Sequence, residues 1–171
     1  MRSLQRALYK DEAGRRVTDP SYGGSLFSHV EEDGDVQSGT IYVLRSKSEH
    51  PQIREHREVI HKIGVTGGKI SSRIANASLD PTFLMAEVDV VMTYKLSNIN
   101  RVKLENLIHS FFEPAKLDIE INDRFGNPVT PREWFLVPLD AIDDLIQKIV
   151  SNEVVNYRYN PQKAALELLA S

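Results

Sequence analysis

Stretches rich in β-branched residues alternate with two amphipathic helical segments in the middle of the chain, and this alternation restricts the fold more than any other feature. The predicted strands are residues 40–44, 59–66 and 86–96. Residues 101–112 and 139–150 carry apolar side chains at intervals of three and four, which predicts two helices that each bury one face. Such a chain folds around a small sheet with helices packed on it.

Shorter elements complete the predicted order. Residues 69–77 follow a Gly-Gly pair and place Ile70, Ile74 and Ala77 on one helical face. Residues 117–121 and 133–137 are predicted to pair as strands around the turn at 124–128. The resulting order, β-β-α-β-α-β-β-α, predicts an α/β (α+β) domain in which a small mixed or antiparallel central sheet is flanked by helices.

The flanks differ in composition from this domain. Residues 1–38 contain several glycines and the acidic run Glu31–Asp33 with almost no apolar periodicity, which indicates a poorly ordered N-terminal extension. We therefore expect one ordered domain over residues 39–150. Residues 151–171 form a C-terminal tail in which 162–169 have a helical pattern.

Composition excludes several classes of protein. The 171 residues include no cysteine, which excludes disulfide frameworks, thiolate metal sites and thiol catalysis. Apolar stretches fall far short of the roughly 20 residues that a membrane helix needs, and the N-terminus shows no secretory signal. A cytoplasmic protein is the expectation.

Charge is unevenly distributed along the chain. The net charge of −3 does not by itself suggest a nucleic-acid-binding protein. Residues 39–105, however, hold ten basic and seven acidic side chains, whereas both flanking segments are net negative. The central third is the part whose charge suits a polyanion.

Polar residues of chemical interest occur at intervals through this basic third. The sequence Gly-Thr-Ile-Tyr-Val occupies residues 39–43 on the first predicted strand, and Lys-Ile-Gly-Val-Thr occupies 62–66 on the second. Arg73 follows on the next helix, Glu105 lies on the later amphipathic helix, and Arg-Glu-Trp-Phe occupies 132–135. This ordered set resembles the GIY-YIG endonuclease superfamily over residues 39–150. It is similar to the phage-type branch, in which Lys-Ile-Gly replaces Tyr-Ile-Gly.

The resemblance implies a metal-dependent DNA endonuclease and assigns four catalytic residues. Tyr42 would deprotonate or orient the attacking water, and Lys62 would be the cation that lowers the pKa of the phenol. Arg73 would clamp the phosphate with its planar guanidinium. Glu105 would hold one Mg²⁺ or Mn²⁺, since hard cations prefer carboxylate oxygen.

Basic side chains near these positions would supply phosphate contacts with DNA. They are Arg45, Lys47, Lys69, Lys95, Arg101 and Lys103. The resemblance also implies that target choice depends on a homodimer or on an attached DNA-binding module.

Two alternatives remain open at this stage. Ala77 stands where many members of the superfamily have His or Tyr, which favours a catalytically inactive module that binds nucleic acid or a protein. Each candidate also has a structural interpretation. Tyr42 would be a packing residue, and Glu105 an exposed helix residue paired with His109 or Arg101. A purely structural domain predicts that the four candidates lie on separate faces.

Overall fold

The computed structural model of the chain describes residues 9–10 and 37–170. The described strands are β1 (Tyr9–Lys10), β2 (Gln37–Ser46), β3 (Ile60–Thr66), β4 (Val88–Ile99), β5 (Ile121–Asn122), β6 (Pro128–Val129), β7 (Trp134–Leu136), β8 (Tyr157–Asn160) and β9 (Ala165–Leu168). The helices are α1 (Pro51–Glu55), α2 (Ile70–Arg73), α3 (Arg101–Phe111) and α4 (Leu139–Val150). Most of the predicted N-terminal extension, at residues 1–8 and 11–36, lies outside the described residues.

The central sheet is antiparallel and confirms the predicted α+β class. Its strand order is β4-β2-β3-β7, with the two-residue β1 at the β4 edge. Tyr42 of β2 lies opposite Gly64 of β3, and Leu44 lies opposite Lys62. Because cross-strand partners share a face, these four residues lie on one side of the sheet.

The main core lies on the other side of the sheet, beneath α3 and α4. Both helices begin and end within one residue of their predicted bounds. The side chain of Asn100 accepts the Lys103 N–H at 3.0 Å and so caps the start of α3. Along α4, Ile142, Leu145 and Ile146 are fully buried. Each contributes about 1.5–3 kcal/mol of apolar transfer free energy, which fixes both helices against the sheet.

Helix α2 is shorter than predicted and packs against the opposite face of the sheet. It ends at Arg73, and a separate 3₁₀ turn follows at Ala77–Leu79. Serine and asparagine in this segment favour turns over helix interiors, and the Ala77 N–H bonds the Ile74 carbonyl three residues back at 3.1 Å. The predicted apolar side chains still pack beside Tyr42 and Phe83, so the one-face assignment holds.

The predicted pairing of residues 117–121 with 133–137 is wrong in its main part. Strand β7 pairs with β3, and β5 pairs with β6 as a separate short hairpin. Contact between the two predicted segments occurs at the start of the first: the Leu117 N–H donates to the Trp134 carbonyl at 2.8 Å, and Lys116, the residue before, forms a bridge with Phe135. Trp134 is fully buried and its Nε1–H donates to the Thr82 carbonyl at 3.0 Å, which draws β7 into the central sheet.

The predicted helix at 162–169 is also wrong, because β8 and β9 form a hairpin. The Asn160 side chain accepts the N–H groups of Gln162 and Lys163 and thereby fixes the turn. Tyr159 packs edge-on against Phe112, with ring centroids 5.1 Å apart, so the hairpin is attached to the core. No helix among the described residues is long and apolar enough to span a membrane.

Candidate functional site

Tyr42 and Gly64 form the base of the site. The tyrosine is fully buried, and its ring lies across the backbone of Gly64 on the neighbouring strand. A Cβ atom at position 64 would overlap the hydroxyl end of this ring. The Lys-Ile-Gly motif therefore needs a residue without a Cβ atom at position 64, because the Tyr42 ring closely approaches the backbone there.

Arg73 contacts the tyrosine hydroxyl from α2. Its Nη2 donates to the Tyr42 oxygen at 3.4 Å. Burial raises the pKa of Tyr42 above its ordinary value, and the guanidinium offsets only part of that rise. The phenol therefore keeps its proton at neutral pH and is able to donate a hydrogen bond.

Lys62 has a different partner from the one expected. Its side chain is 3% exposed, and its Nζ forms an ion pair with the Glu133 carboxylate. Burial raises the pKa of Glu133, but the charge and hydrogen bond of Lys62 outweigh that effect and hold the pKa below its usual value. The cation that donates to Tyr42 is thus Arg73, and Lys62 instead balances Glu133.

Glu133 is the polar residue at the site that the sequence interpretation missed. Its charge acts on Tyr42 and Arg73 as well as on Lys62, so it belongs to the same cluster. The available signal was its position in the Arg-Glu-Trp-Phe motif, directly before the buried Trp134.

Glu105 binds the free edge of β3. The strand β7 pairs with β3 only as far as Lys62. Beyond that point the Val65 N–H donates to Glu105 Oε1 at 2.8 Å, and His109 Nε2–H donates to the Ile63 carbonyl at 2.7 Å. Glu105 is therefore a half-buried residue that caps a strand edge, which differs from the exposed helical pair considered above.

A cleft of about 310 Å³ opens at the end of β3, between α2 and the first half of α3. We call it the β3 cleft; its polar lining includes Thr66, Arg73, Arg101, Glu105 and Asn106. Two guanidinium groups and one carboxylate thus share one cavity, with Tyr42 behind Arg73. Arg73 and Glu105 share this cleft and Tyr42 contacts Arg73, so these three do not lie on separate faces, as a purely structural domain would require. Lys62 is not among the lining residues and pairs with Glu133 instead.

Residues 39–150 match the family model of the T5orf172 domain. The chain belongs to this family. The chain is 42% identical over 150 residues to the Uncharacterized protein YeeC of Bacillus subtilis (strain 168). That match covers 88% of this chain and 38% of the relative, so the chain spans less than half the length of YeeC. No solved structure matches significantly. Tyr42, Lys62, Arg73 and Glu105 all lie within the T5orf172 match.

The predicted DNA-contacting residues of this T5orf172 domain fall into three groups. Arg101 lines the β3 cleft, and its Nη1 donates to the Ser38 carbonyl at 2.8 Å. Arg45 and Lys47 lie at the far end of β2 and form ion pairs, Arg45 with Glu58 at 3.6 Å and Lys47 with Asp89 at 3.4 Å. The structure therefore brings Arg101 to the site and leaves Arg45 and Lys47 outside it. The remaining three, Lys69, Lys95 and Lys103, are exposed.

Arg45 also forms a hydrogen bond with a buried histidine, His61. Its Nη2 donates to His61 Nε2 at 3.0 Å, and the opposite ring nitrogen of His61 donates to the Val137 carbonyl at 2.8 Å. Burial, assisted by the adjacent Arg45 charge, lowers the pKa of His61 to about 4. His61 is therefore a neutral connector within the fold on the face opposite Lys62.

Substitution of Gly64 by alanine tests the packing at the base of the site. The added methyl group would force the Tyr42 ring to move, so we expect Gly64→Ala to lower the free energy of unfolding by about 1–3 kcal/mol. Urea denaturation followed by circular dichroism measures this loss. Gly68→Ala is the matched control, because its Cβ would meet only Thr66 Oγ1 at 4.0 Å. Equal unfolding midpoints for the two variants would contradict the close approach.

Proposed function

We propose that this T5orf172 domain hydrolyses phosphodiester bonds of DNA at the β3 cleft, with a site of GIY-YIG type. One observation carries the proposal: the Arg73–Tyr42 hydrogen bond lies beside the cleft that Glu105 lines. These three side chains come from β2, α2 and α3, which are far apart in sequence. The coarser conclusion, a nuclease-like or DNA-binding domain, is also what membership of the T5orf172 family suggests.

Arg73 would be the phosphate clamp. Its guanidinium lines the cleft and is largely accessible, while one nitrogen remains fixed by the Tyr42 hydroxyl. A planar fork of N–H donors matches two phosphate oxygens and opposes the negative charge that grows during attack at phosphorus. Arg101, across the same cleft, would add a second positive charge for the DNA backbone.

Tyr42 would orient the attacking water or a phosphate oxygen. Because its pKa is raised, the hydroxyl is a hydrogen-bond donor that already accepts from Arg73. Burial of the ring against Gly64 leaves the hydroxyl little freedom to move. A fixed donor costs less reorganisation when charge develops in the transition state.

The residues of the cleft fit one Mg²⁺ or Mn²⁺. Magnesium ions are commonly held by one or two carboxylates, several waters and the substrate phosphates, and Glu105 offers such a carboxylate. Within the described residues no group of three His, Asp or Glu side chains is placed to hold a metal, so a site closed by protein ligands alone is not what we propose. When bound, the cation would supply positive charge to the phosphate oxygens.

A plasmid-nicking assay with Mg²⁺ or Mn²⁺ tests the proposal through Glu105→Gln. Glutamine retains an oxygen that accepts the Val65 N–H, so the strand edge stays capped while the charge is lost. We expect the nicking rate to fall roughly 100-fold if the carboxylate acts in catalysis. Nicking at the wild-type rate would show that Glu105 only caps β3.

Glu113→Gln provides the matched control for this assay. Glu113 is exposed, follows α3 and pairs with Lys116 at 3.8 Å, so its substitution should leave the nicking rate unchanged. A wild-type protein that never nicks DNA with either cation would contradict the nuclease proposal.

The second candidate is a catalytically inactive module that binds nucleic acid or a protein. Ala77 favours it: this residue is buried in the cluster beneath Tyr42 and Phe83, so the position where the superfamily has an acid–base residue adds none here. Fluorescence anisotropy with labelled DNA distinguishes the two, since this candidate predicts binding, reduced by Arg101→Ala, without nicking. A second copy of the chain or an attached module would supply sequence choice in either case.

A further inference from the structure

A second cleft, of about 370 Å³, lies beyond α2 and is not used by the proposed chemistry. One wall is the turn from Asn76 to Pro81, and the other is the tip of the β5–β6 hairpin with Arg124 and Phe125. We call it the Phe125 cleft. The Phe125 side chain is 74% exposed and Leu79 is 52% exposed. Two large apolar side chains thus border one accessible cavity, an arrangement typical of binding sites.

The hairpin tip holds Phe125 in a defined position. Asp123 Oδ1 accepts the N–H groups of Phe125 and Asn127, both at 2.8 Å, and the Gly126 N–H donates to the Asp123 carbonyl at 3.0 Å. The Arg124 guanidinium lies 5.0 Å from the centroid of the Phe125 ring. An aromatic side chain on a fixed backbone binds a flat ligand with less loss of conformational entropy than one on a mobile loop.

The chemistry of the lining matches a nucleobase. Phe125 offers a ring face for stacking, Leu79 offers apolar contact, and Asn76 offers amide groups for the polar edge of a base. The Arg124 guanidinium lies over one face of the Phe125 ring and adds a positive charge that attracts the phosphate of a nucleotide whose base stacks on the other face. The cleft also contains the carboxylates of Asp80 and Asp123, which accept backbone N–H groups within their own turns. A nucleobase with its phosphate would use the ring, the amide and the arginine, whereas an apolar peptide side chain would not use the arginine or the amide.

The position of the cleft relates it to the proposed site. Asn76 is three residues after Arg73, so about 11 Å of chain at most separates the two Cα atoms. One strand of nucleic acid can therefore reach both places.

We propose that the Phe125 cleft binds one unpaired base of the nucleic acid, stacked on the Phe125 ring, near the phosphate held by Arg73. The identity of that neighbouring phosphate rests on the function proposed above. Base binding itself does not require that the domain cut DNA.

The test is DNA binding by the full chain in the presence of EDTA, so that no cleavage occurs. The probes are two fluorescein-labelled duplexes of the same sequence, one with a single bulged base and one fully paired. Stacking of one base on an aromatic side chain predicts that Phe125→Ala weakens binding of the bulged duplex roughly tenfold and leaves the paired duplex unchanged. Leu168→Ala, at a side chain 66% exposed on β9, is the control and should change neither affinity.

Phe125→Trp supplies a direct signal. The natural chain has one tryptophan, the buried Trp134, so the emission added by the variant reports position 125. We expect this added emission to be quenched by the bulged duplex, and the affinity to match the wild type.

Three outcomes would overturn base stacking. They are equal binding of the bulged duplex by wild type and Phe125→Ala, an equal loss on both duplexes, or the absence of DNA binding. A selective loss on the bulged duplex in a protein that never nicks DNA would support this proposal and refute the nuclease proposal. Normal nicking with unchanged binding by Phe125→Ala would do the reverse.

Discussion

Alanine at position 73 is expected to reduce the nicking rate about 10²–10³-fold, the usual loss when one preorganised charge at a transition state is removed. Arg73 combines a place in the β3 cleft with the hydrogen bond to Tyr42, so Arg73→Ala would remove the proposed phosphate clamp and release the phenol together. The measurement is single-turnover nicking of supercoiled plasmid with Mg²⁺, at enzyme concentrations that saturate the DNA.

Two further variants sharpen this result. Arg73→Lys keeps the charge but loses the planar fork, and it should recover only a small part of the rate. Arg158→Ala is the matched arginine control, because Arg158 lies on β8 outside the T5orf172 match and pairs with Glu167 at 2.7 Å. Saturated nicking by Arg73→Ala within a few-fold of the wild type would contradict the clamp.

The parts of the fold that could be predicted are those with a local cause. Asn100 precedes α3 as a cap and the apolar side chains recur at helical intervals, so its bounds could be inferred from the sequence. The C-terminal tail contains alanines and leucines with the same pattern, yet it forms a hairpin. There the turn at Asn160 and the contact of Tyr159 with Phe112 decide the structure, and a contact with α3 cannot be read from local sequence.

The candidate site divides in the same way. Tyr42, Arg73 and Glu105 could be proposed together because each supplies a distinct chemical group in a motif order that resembles a known superfamily. The partner of Lys62 could not be predicted, because Glu133 is 71 residues away and follows an irregular loop. The hydrogen bond from the Val65 N–H to Glu105 could not be predicted from the sequence either, because it forms only where β7 stops pairing with β3.

Removal of the Glu133 carboxylate is expected to have the largest effect on stability. Glu133→Ala leaves the ammonium group of Lys62, which is 3% exposed, without its ion-pair partner. Loss of one partner from a buried pair costs about 3–5 kcal/mol, and we expect the lower end because the Glu133 side chain is 40% exposed and water can replace part of the interaction. Guanidinium denaturation, monitored by the fluorescence of the buried Trp134 next in sequence, measures the change in unfolding free energy.

A double substitution separates charge burial from loss of packing. Lys62→Met/Glu133→Ala removes both charges of this ion pair, so neither is left buried without its partner and most of the lost stability should return. Glu133→Gln keeps a hydrogen-bond acceptor for Lys62 Nζ, so its unfolding free energy should fall between those of the wild type and Glu133→Ala.

An unfolding free energy of Glu133→Ala within about 0.5 kcal/mol of the wild type would contradict this prediction, because surface substitutions have effects of that size. It would mean that water solvates Lys62 when Glu133 is removed. A double variant that regains stability but not nicking would show that Lys62 or Glu133 also contributes to catalysis.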